Sequence, residues 1–114
     1  MKIIVTGGYG FIGSHLVKKL LKNKSNIVLN LDAIKYSAMP EALNLVKHSK
    51  NYLFKKDNLQ NIKNLNNIIK KFKPNIIFNL AAESHVDNSI NNPDDFVNSN
   101  IIGTYNLLQA IKKN

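Results

Sequence analysis

Residues 5–16 read VTGGYGFIGSHL, and four glycines fall within seven positions there: Gly7, Gly8, Gly10 and Gly13. Such a density cannot sit inside a strand or a helix, because glycine loses more backbone freedom on ordering than any other residue. It suits a tight turn. The run before it, KIIVT (2–6), is β-branched, as a doubly covered parallel strand requires. The run after it, FIGSHLVKKLLKN (11–23), switches to helical spacing, with Phe11, Ile12, Leu16, Val17, Leu20 and Leu21 on one face. The glycines satisfy both G-x-G-x-x-G and G-x-x-G-x-x-G between strand and helix, which is the context this motif demands. The early ones let the backbone turn sharply and bring its N–H groups against a diphosphate. The last lets the helix pack on the strand, and the helix N-terminus adds partial positive charge. A strand-to-helix turn with no ligand is the competing reading.

The same alternation repeats down the chain. NIVLNLD (26–32) reads as a second strand and PEALNLVKHS (40–49) as a short helix opened by Pro40. NYLFKKD (51–57) is a third strand, followed by a helix over 61–72 with Ile62, Leu65, Ile68, Ile69 and Phe72 on one stripe. NIIFNLAA (75–82) reads as a buried fourth strand, and residues 93–113 as one long closing helix with Pro93 and Asp94 or Asp95 at its positive end. Four strand–helix pairs predict parallel strands, right-handed crossovers and an α/β layer fold.

Asp32 ends the second strand at the spacing beyond Gly13, about 20 residues, at which a carboxylate reaches the ribose hydroxyls of a bound dinucleotide. A solvated strand-end carboxylate is the alternative. A 2′-phosphate about 4 Å from Asp32 would meet about 4 kcal/mol of repulsion per charge pair at an effective dielectric near 20. Lys35 would return about 1 kcal/mol as an exposed partner. Repulsion wins, so the expected cofactor is NAD rather than NADP. Asp57 closes the third strand and, in a sheet ordered 3-2-1-4, would lie beside Asp32 near the adenine; a plain turn aspartate fits its spacing equally well.

The formal net charge of +9 raises the question of nucleic acid. All 16 basic residues are lysine, scattered where helices and strand ends would face water, and none is arginine, the side chain suited to bidentate phosphate and guanine contacts. Asparagine, lysine and isoleucine, all drawn from A/T-rich codons, are abundant, and biased base composition accounts for the charge as well as a function would. No nucleic-acid partner is expected. Apolar runs are too short for a membrane span, and no signal peptide is recognisable, so a cytoplasmic protein is expected. The chain has no cysteine, which excludes thiolate chemistry and disulfides.

NLAAESHVDNSI (79–90) crowds Glu83, Ser84, His85 and Asp87 together. They do not make a hydrolase triad, because near neighbours on an extended segment point different ways. Nor do His15, His48 and His85, isolated from one another, make a metal site. What the stretch has is position: it leaves the carboxyl end of the fourth strand, where doubly wound sheets bind ligands. With MKIIVTGGYGFIGSHLV, LDAIKYS and NLAAESHVDNSINNPDDFVNSNIIGTYNLL in order and spacing, the chain resembles the extended short-chain dehydrogenase/reductase family, in particular its nucleotide-sugar 4,6-dehydratases. The resemblance covers essentially the whole chain and corresponds to the N-terminal third of a family member.

That resemblance implies a Rossmann-like doubly wound sheet, ordered 3-2-1-4 and truncated after the fourth βα unit, with NAD as cofactor and dTDP-glucose as substrate. It assigns Gly7, Gly10, Phe11, Ile12 and Gly13 to the pyrophosphate. Asp32, Ala33, Ile34 and Lys35 would line the ribose, and Asp57 and Asn58 the adenine. Leu80, Ala81, Ala82 and Ser84 would run beneath the nicotinamide, Ser84 also reaching the sugar, and Ser99 stands where threonine is usual. Lys35, usually threonine, and Asn88, usually arginine, depart from the pattern.

The implied chemistry is oxidation at the sugar C4, loss of water across C5–C6 and return of hydride to C6. The Tyr-x-x-x-Lys pair and the acidic pair that drive it belong to the family's middle region, so no catalytic residue is expected among residues 1–114. The one match, Tyr52 and Lys56 in YLFKK, falls on a strand, where residues four apart lie about 13 Å from each other. The expectations are an NAD-binding portion lacking catalytic and substrate-binding parts, an apolar edge at the fourth strand, and a homodimer formed around FVNSNIIGTYNLLQAI (96–111) in the full-length family. A second polypeptide completing the fold, an NAD-binding fragment without catalysis, and part of a related dehydratase or epimerase remain open alternatives.

Overall fold

The computed structural model describes all 114 residues. Four strands, β1 (Lys2–Thr6), β2 (Ile27–Asp32), β3 (Tyr52–Lys56) and β4 (Ile76–Asn79), form one parallel sheet in the expected order β3-β2-β1-β4. The register sets Thr6 beside both Leu31 and Asn79, and Asp32 beside Lys56. All four carboxyl ends therefore emerge along one edge.

Helices cover both faces of the sheet. α1 (Phe11–Leu21) follows β1, and α2 (Ile62–Phe72) follows β3. Beyond β4 come α3 (Val86–Asn91), α4 (Pro93–Phe96), a π-helical stretch Val97–Ile102 and α5 (Gly103–Lys113). Alternation along β1 feeds two cores: Ile4 points to α2 and α5 with Leu29, Leu31, Leu65, Ile68, Ile69 and Leu107, while Ile3 and Val5 point to α1 with Val17, Leu21, Val28 and Leu43. β1 is the central strand, and every apolar side chain it carries is fully buried. α2 shows its boundaries chemically. The Asn61 side chain accepts from the Asn64 N–H at its start, and Lys73 ends it in the left-handed region (φ 52°) ahead of Pro74.

Several expected elements differ. The helix over 40–49 is only a 3-10 turn, Pro40–Leu43, followed by turns; only Leu43 is fully buried, with Val46 packed partly against the core and Leu45 exposed, so little apolar surface pays for a longer helix. β4 spans four residues rather than eight and is half-exposed, because it lies at the sheet edge with a neighbour on one side only. On α1 the buried stripe is Gly13, Ser14, Val17 and Leu21, whereas Phe11 and Ile12 face solvent. Ile62 is likewise exposed at the first turn of α2. The closing helix is interrupted, and residues 86–91 form a helical segment of their own, so that Asp87 of the crowded stretch is helical rather than extended.

Tyr52 is buried, and its hydroxyl accepts a hydrogen bond from Asn30 Nδ2 at 3.1 Å. Burial pushes its pKa well above the ordinary tyrosine value. A raised folded-state pKa means that the unfolded chain ionises first, so Tyr52 supports the fold at neutral pH and this support fades as pH rises past the ordinary tyrosine range. Tyr52→Phe leaves the Asn30 amide unpaired and is expected to cost about 1–2 kcal/mol by urea unfolding at pH 7. Repeated above pH of about 10, the same measurement should show the gap between the two proteins narrowing.

Candidate functional site

The turn after β1 is built by backbone contact. Gly7 adopts φ +68°, donates its N–H to the Leu31 carbonyl at 2.9 Å, and accepts from the Gly10 N–H at 3.0 Å. A Cβ on Gly7 would lie 2.8 Å from the backbone of Leu80 and Ala81. A Cβ on Gly13 would run into the Gly7 carbonyl oxygen. The last glycine therefore serves the packing of α1 on the turn itself, one residue beyond the end of the strand. α1 begins after Gly10 with no side-chain cap and no acidic residue in its first turn. Its free N–H groups and positive dipole end are left for an anion.

Asp32 sits 8% exposed where β2 ends. One carboxylate oxygen accepts from the Tyr9 N–H of the glycine turn at 2.9 Å, the other from the Ile34 N–H at 2.7 Å. The second bond holds a bend in which Ile34 takes φ +54°, a costly conformation for a β-branched residue. Asp57 follows β3 and donates its N–H to the Asp32 carbonyl at 3.1 Å, so the two aspartates are neighbours, as the strand order predicted. Asp57 Oδ1 accepts from the Asn58 N–H at 2.8 Å, while Oδ2 is buried without a partner. One acceptor beside the cleft is thus left without a protein donor. Open backbone donors at the glycine turn and the carboxylates of Asp32 and Asp57 thus face one region of the surface.

Those groups converge on one cleft of about 100 Å³ that opens to solvent. It is lined by Gly7, Gly10, Asp32, Ala33, Lys35, Asp57, Asn58, Leu80, Ala81, Ala82 and Ser99, all singled out in the sequence. Gly13 is buried beneath the turn, and Phe11, Ile12, Ile34 and Ser84 are exposed outside the lining. Leu31, Ser37, Ala38, Leu59 and Glu83 line it without having been named as binding residues. Glu83 had a signal: a carboxylate preceded by two alanines in a segment leaving the sheet's carboxyl edge. The other four offered none, since they arrive through the fold of the connecting loops.

The π-helical stretch also belongs to the site. Asn100 clamps Glu83, accepting from its N–H at 2.9 Å and donating to its carbonyl at 3.0 Å. Ser99, one residue earlier, accepts from Lys35 Nζ at 2.9 Å. Such irregular turns gather at functional sites, and this one brings two consecutive side chains to the cleft rim. Tyr52, by contrast, is locked under Asn30, and Lys56 lies four residues further along β3, exposed. Burial raises the tyrosine's pKa, whereas a proton-transferring tyrosine beside a lysine needs it lowered. The pair takes no part in the cleft.

Comparison with known proteins follows the same lines. Residues 4–114 match the family model described as GDP-mannose 4,6 dehydratase. The dTDP-glucose 4,6-dehydratase of Haemophilus influenzae is 43% identical over 112 residues, covering 98% of this chain and 33% of that protein. Its counterpart in Salmonella typhimurium is 40% identical over 113 residues, 99% and 31% of the two chains. Among solved structures, the dTDP-glucose 4,6-dehydratase of Bacillus anthracis in complex with NAD superposes with a TM-score of 0.87 at 36% identity, covering 99% of this chain and 34% of that one. DesIV, a dTDP-glucose 4,6-dehydratase from Streptomyces venezuelae solved with NAD bound, gives 0.92 at 33% identity, 99% and 36%. UDP-glucose 4-epimerase from Thermotoga maritima gives 0.88 at 36%, again 99% and 34%. The chain thus spans about a third of the length of the curated relatives it matches.

The glycine contacts make an asymmetric prediction. Gly13→Ala drives a methyl into a backbone oxygen that cannot move aside, whereas the Cβ of Gly10→Ala would sit 3.2 Å from the same oxygen. Urea unfolding should show a loss of about 2–3 kcal/mol for the first and under about 1 kcal/mol for the second.

Proposed function

Because the chain belongs to the GDP-mannose 4,6 dehydratase family, we propose that it is the NAD-binding portion of a nucleotide-sugar 4,6-dehydratase acting on dTDP-glucose. The observation that carries this reading is the convergence of the glycine turn, Asp32 and the unpartnered Asp57 oxygen on one cleft.

In this reading the turn around Gly7 and Gly10 and the first N–H groups of α1 hold the diphosphate. The Asp32 carboxylate, oriented by Tyr9 and Ile34, accepts from the ribose hydroxyls, and each oxygen still has a lone pair for them. Asp57 and Asn58 take the adenine edge. Leu80, Ala81 and Ala82 floor the half of the cleft nearest β4, where the nicotinamide belongs, and the exposed Ser84 stands beyond them toward the sugar. When bound, NAD supplies a hydride acceptor and donor; the residues of this chain bind it, orient it and shield its lower face. Part of a related NAD-dependent epimerase is the second reading, supported by the structural likeness to UDP-glucose 4-epimerase. No helix is long and apolar enough to cross a membrane. Ile101, Tyr105 and Leu108 form an exposed stripe at helical spacing, the surface on which a second copy would pack to give the homodimer.

Calorimetric titration tests the binding role. NAD should bind more tightly than NADP, and Asp32→Ala should weaken NAD by about ten-fold or more, the scale of a lost charge-assisted hydrogen bond. Tighter binding of NADP would overturn the assignment of Asp32. Supplied with NAD and dTDP-glucose, these 114 residues alone should form no 4-keto-6-deoxy product, because their one Tyr-x-x-x-Lys pair is the strand-bound Tyr52 and Lys56. Chromatography of the reaction mixture checks this.

A further inference from the structure

The cleft lining carries three carboxylates, Asp32, Asp57 and Glu83, and a single cation, Lys35. A lysine two residues past the Asp32–Ala33 step is the group that would answer a phosphate on the neighbouring ribose, and so would work against selection by Asp32. Its charge is already engaged. Lys35 Nζ lies 3.0 Å from Glu83 Oε1 and donates to Ser99 Oγ at 2.9 Å. The Glu83 side chain is 8% exposed, and its other oxygen accepts from the Tyr36 hydroxyl at 3.2 Å.

Both ends of this ion pair are anchored from outside it. Asn100 clamps the Glu83 backbone in both directions. Lys35 leaves the strained Ile34 bend, whose N–H is held by Asp32 itself. The lysine is thus drawn across the cleft toward the loop after β4.

Resting on the dinucleotide reading above, we propose that Glu83 is a specificity-determining residue. By engaging Lys35 it denies a 2′-phosphate the one cation in the cleft, and it reinforces Asp32 in favouring a dinucleotide with a free 2′-hydroxyl. Three carboxylates against one ammonium leave the lining with a net formal charge of −2. Glu83→Gln removes one negative charge without changing shape and frees Lys35 at the same time. Coulomb attraction between that ammonium and a doubly charged phosphate then offsets part of the repulsion from Asp32.

NAD and NADP are titrated calorimetrically into the full chain, Glu83→Gln, Lys35→Ala and the double variant. Glu83→Gln should improve NADP binding relative to NAD by about five- to ten-fold. Lys35→Ala in that background should abolish the gain, and Lys35→Ala alone should give none. An unchanged ratio in Glu83→Gln with NAD still bound overturns the proposal, as does a gain that survives in the double variant. Glu83→Asp is the second route: one methylene shorter, it lets go of Lys35 while keeping the charge. A relative gain for NADP there supports the role of Glu83, and none overturns it. Absence of NAD binding to the unaltered chain would overturn the dinucleotide reading itself, an outcome distinct from an unchanged ratio.

Discussion

The contact between Gly13 and the carbonyl of Gly7 governs the rest of the molecule. The first turn of α1 sits so close to the end of β1 that no side-chain carbon fits between them. That closeness aims the N-terminal end of α1 at the turn it has just left. It also brings Gly7 against the backbone of Leu80 and Ala81, joining the carboxyl ends of β1 and β4. Thr6 closes the same junction from its side chain, accepting from the N–H groups of Leu80 and Ala81 at 3.0 and 3.1 Å. Open backbone donors at a helix start are thereby held where two strand ends diverge, which is where a doubly wound sheet leaves room for a ligand.

Asp32 extends that geometry sideways. Its two oxygens tie the glycine turn to the loop after β2, so one carboxylate shapes the cleft and stands ready to accept from its occupant. The Lys35–Glu83–Ser99 contacts then span from that loop to the segment after β4 and the π-helical stretch. Three connections far apart in sequence become a single rim. Local charge here runs opposite to the whole: a chain of net +9 has an acidic cleft, because its lysines are on the outer faces of helices and at strand ends. The sign of a site follows from which side chains the fold turns inward.

Tyr52 shows how a motif loses its meaning outside its setting. Four residues apart on a strand, Tyr52 and Lys56 do not form a side-by-side pair, and Asn30 has already claimed the tyrosine hydroxyl. The spacing that makes a proton-transfer pair on a helix makes a core residue and a surface residue on β3.

Local sequence was sufficient wherever one short-range rule decided the outcome. Glycine density fixed the β1–α1 turn, strand–helix alternation the parallel sheet, and the distance from Gly13 the place of Asp32, while the strand order came from the family resemblance. Most of the cleft lining followed from the family resemblance, which assigns residues that lie mainly next to strand ends. Glu83's grip on Lys35, the interruption at Val97–Ile102, the shortness of β4 and the exposure of Phe11 and Ile12 did not follow. Each depends on what a side chain meets across the sheet or between loops. Periodicity ranks Phe11 with Val17, yet only the position of the sheet determines which of them is covered. Sequence alone determined where the backbone must bend and where strand gives way to helix, since those are set by neighbours along the chain. Tertiary structure alone decided which charges meet, since Lys35 and Glu83 come within reach only after the sheet has brought their loops together.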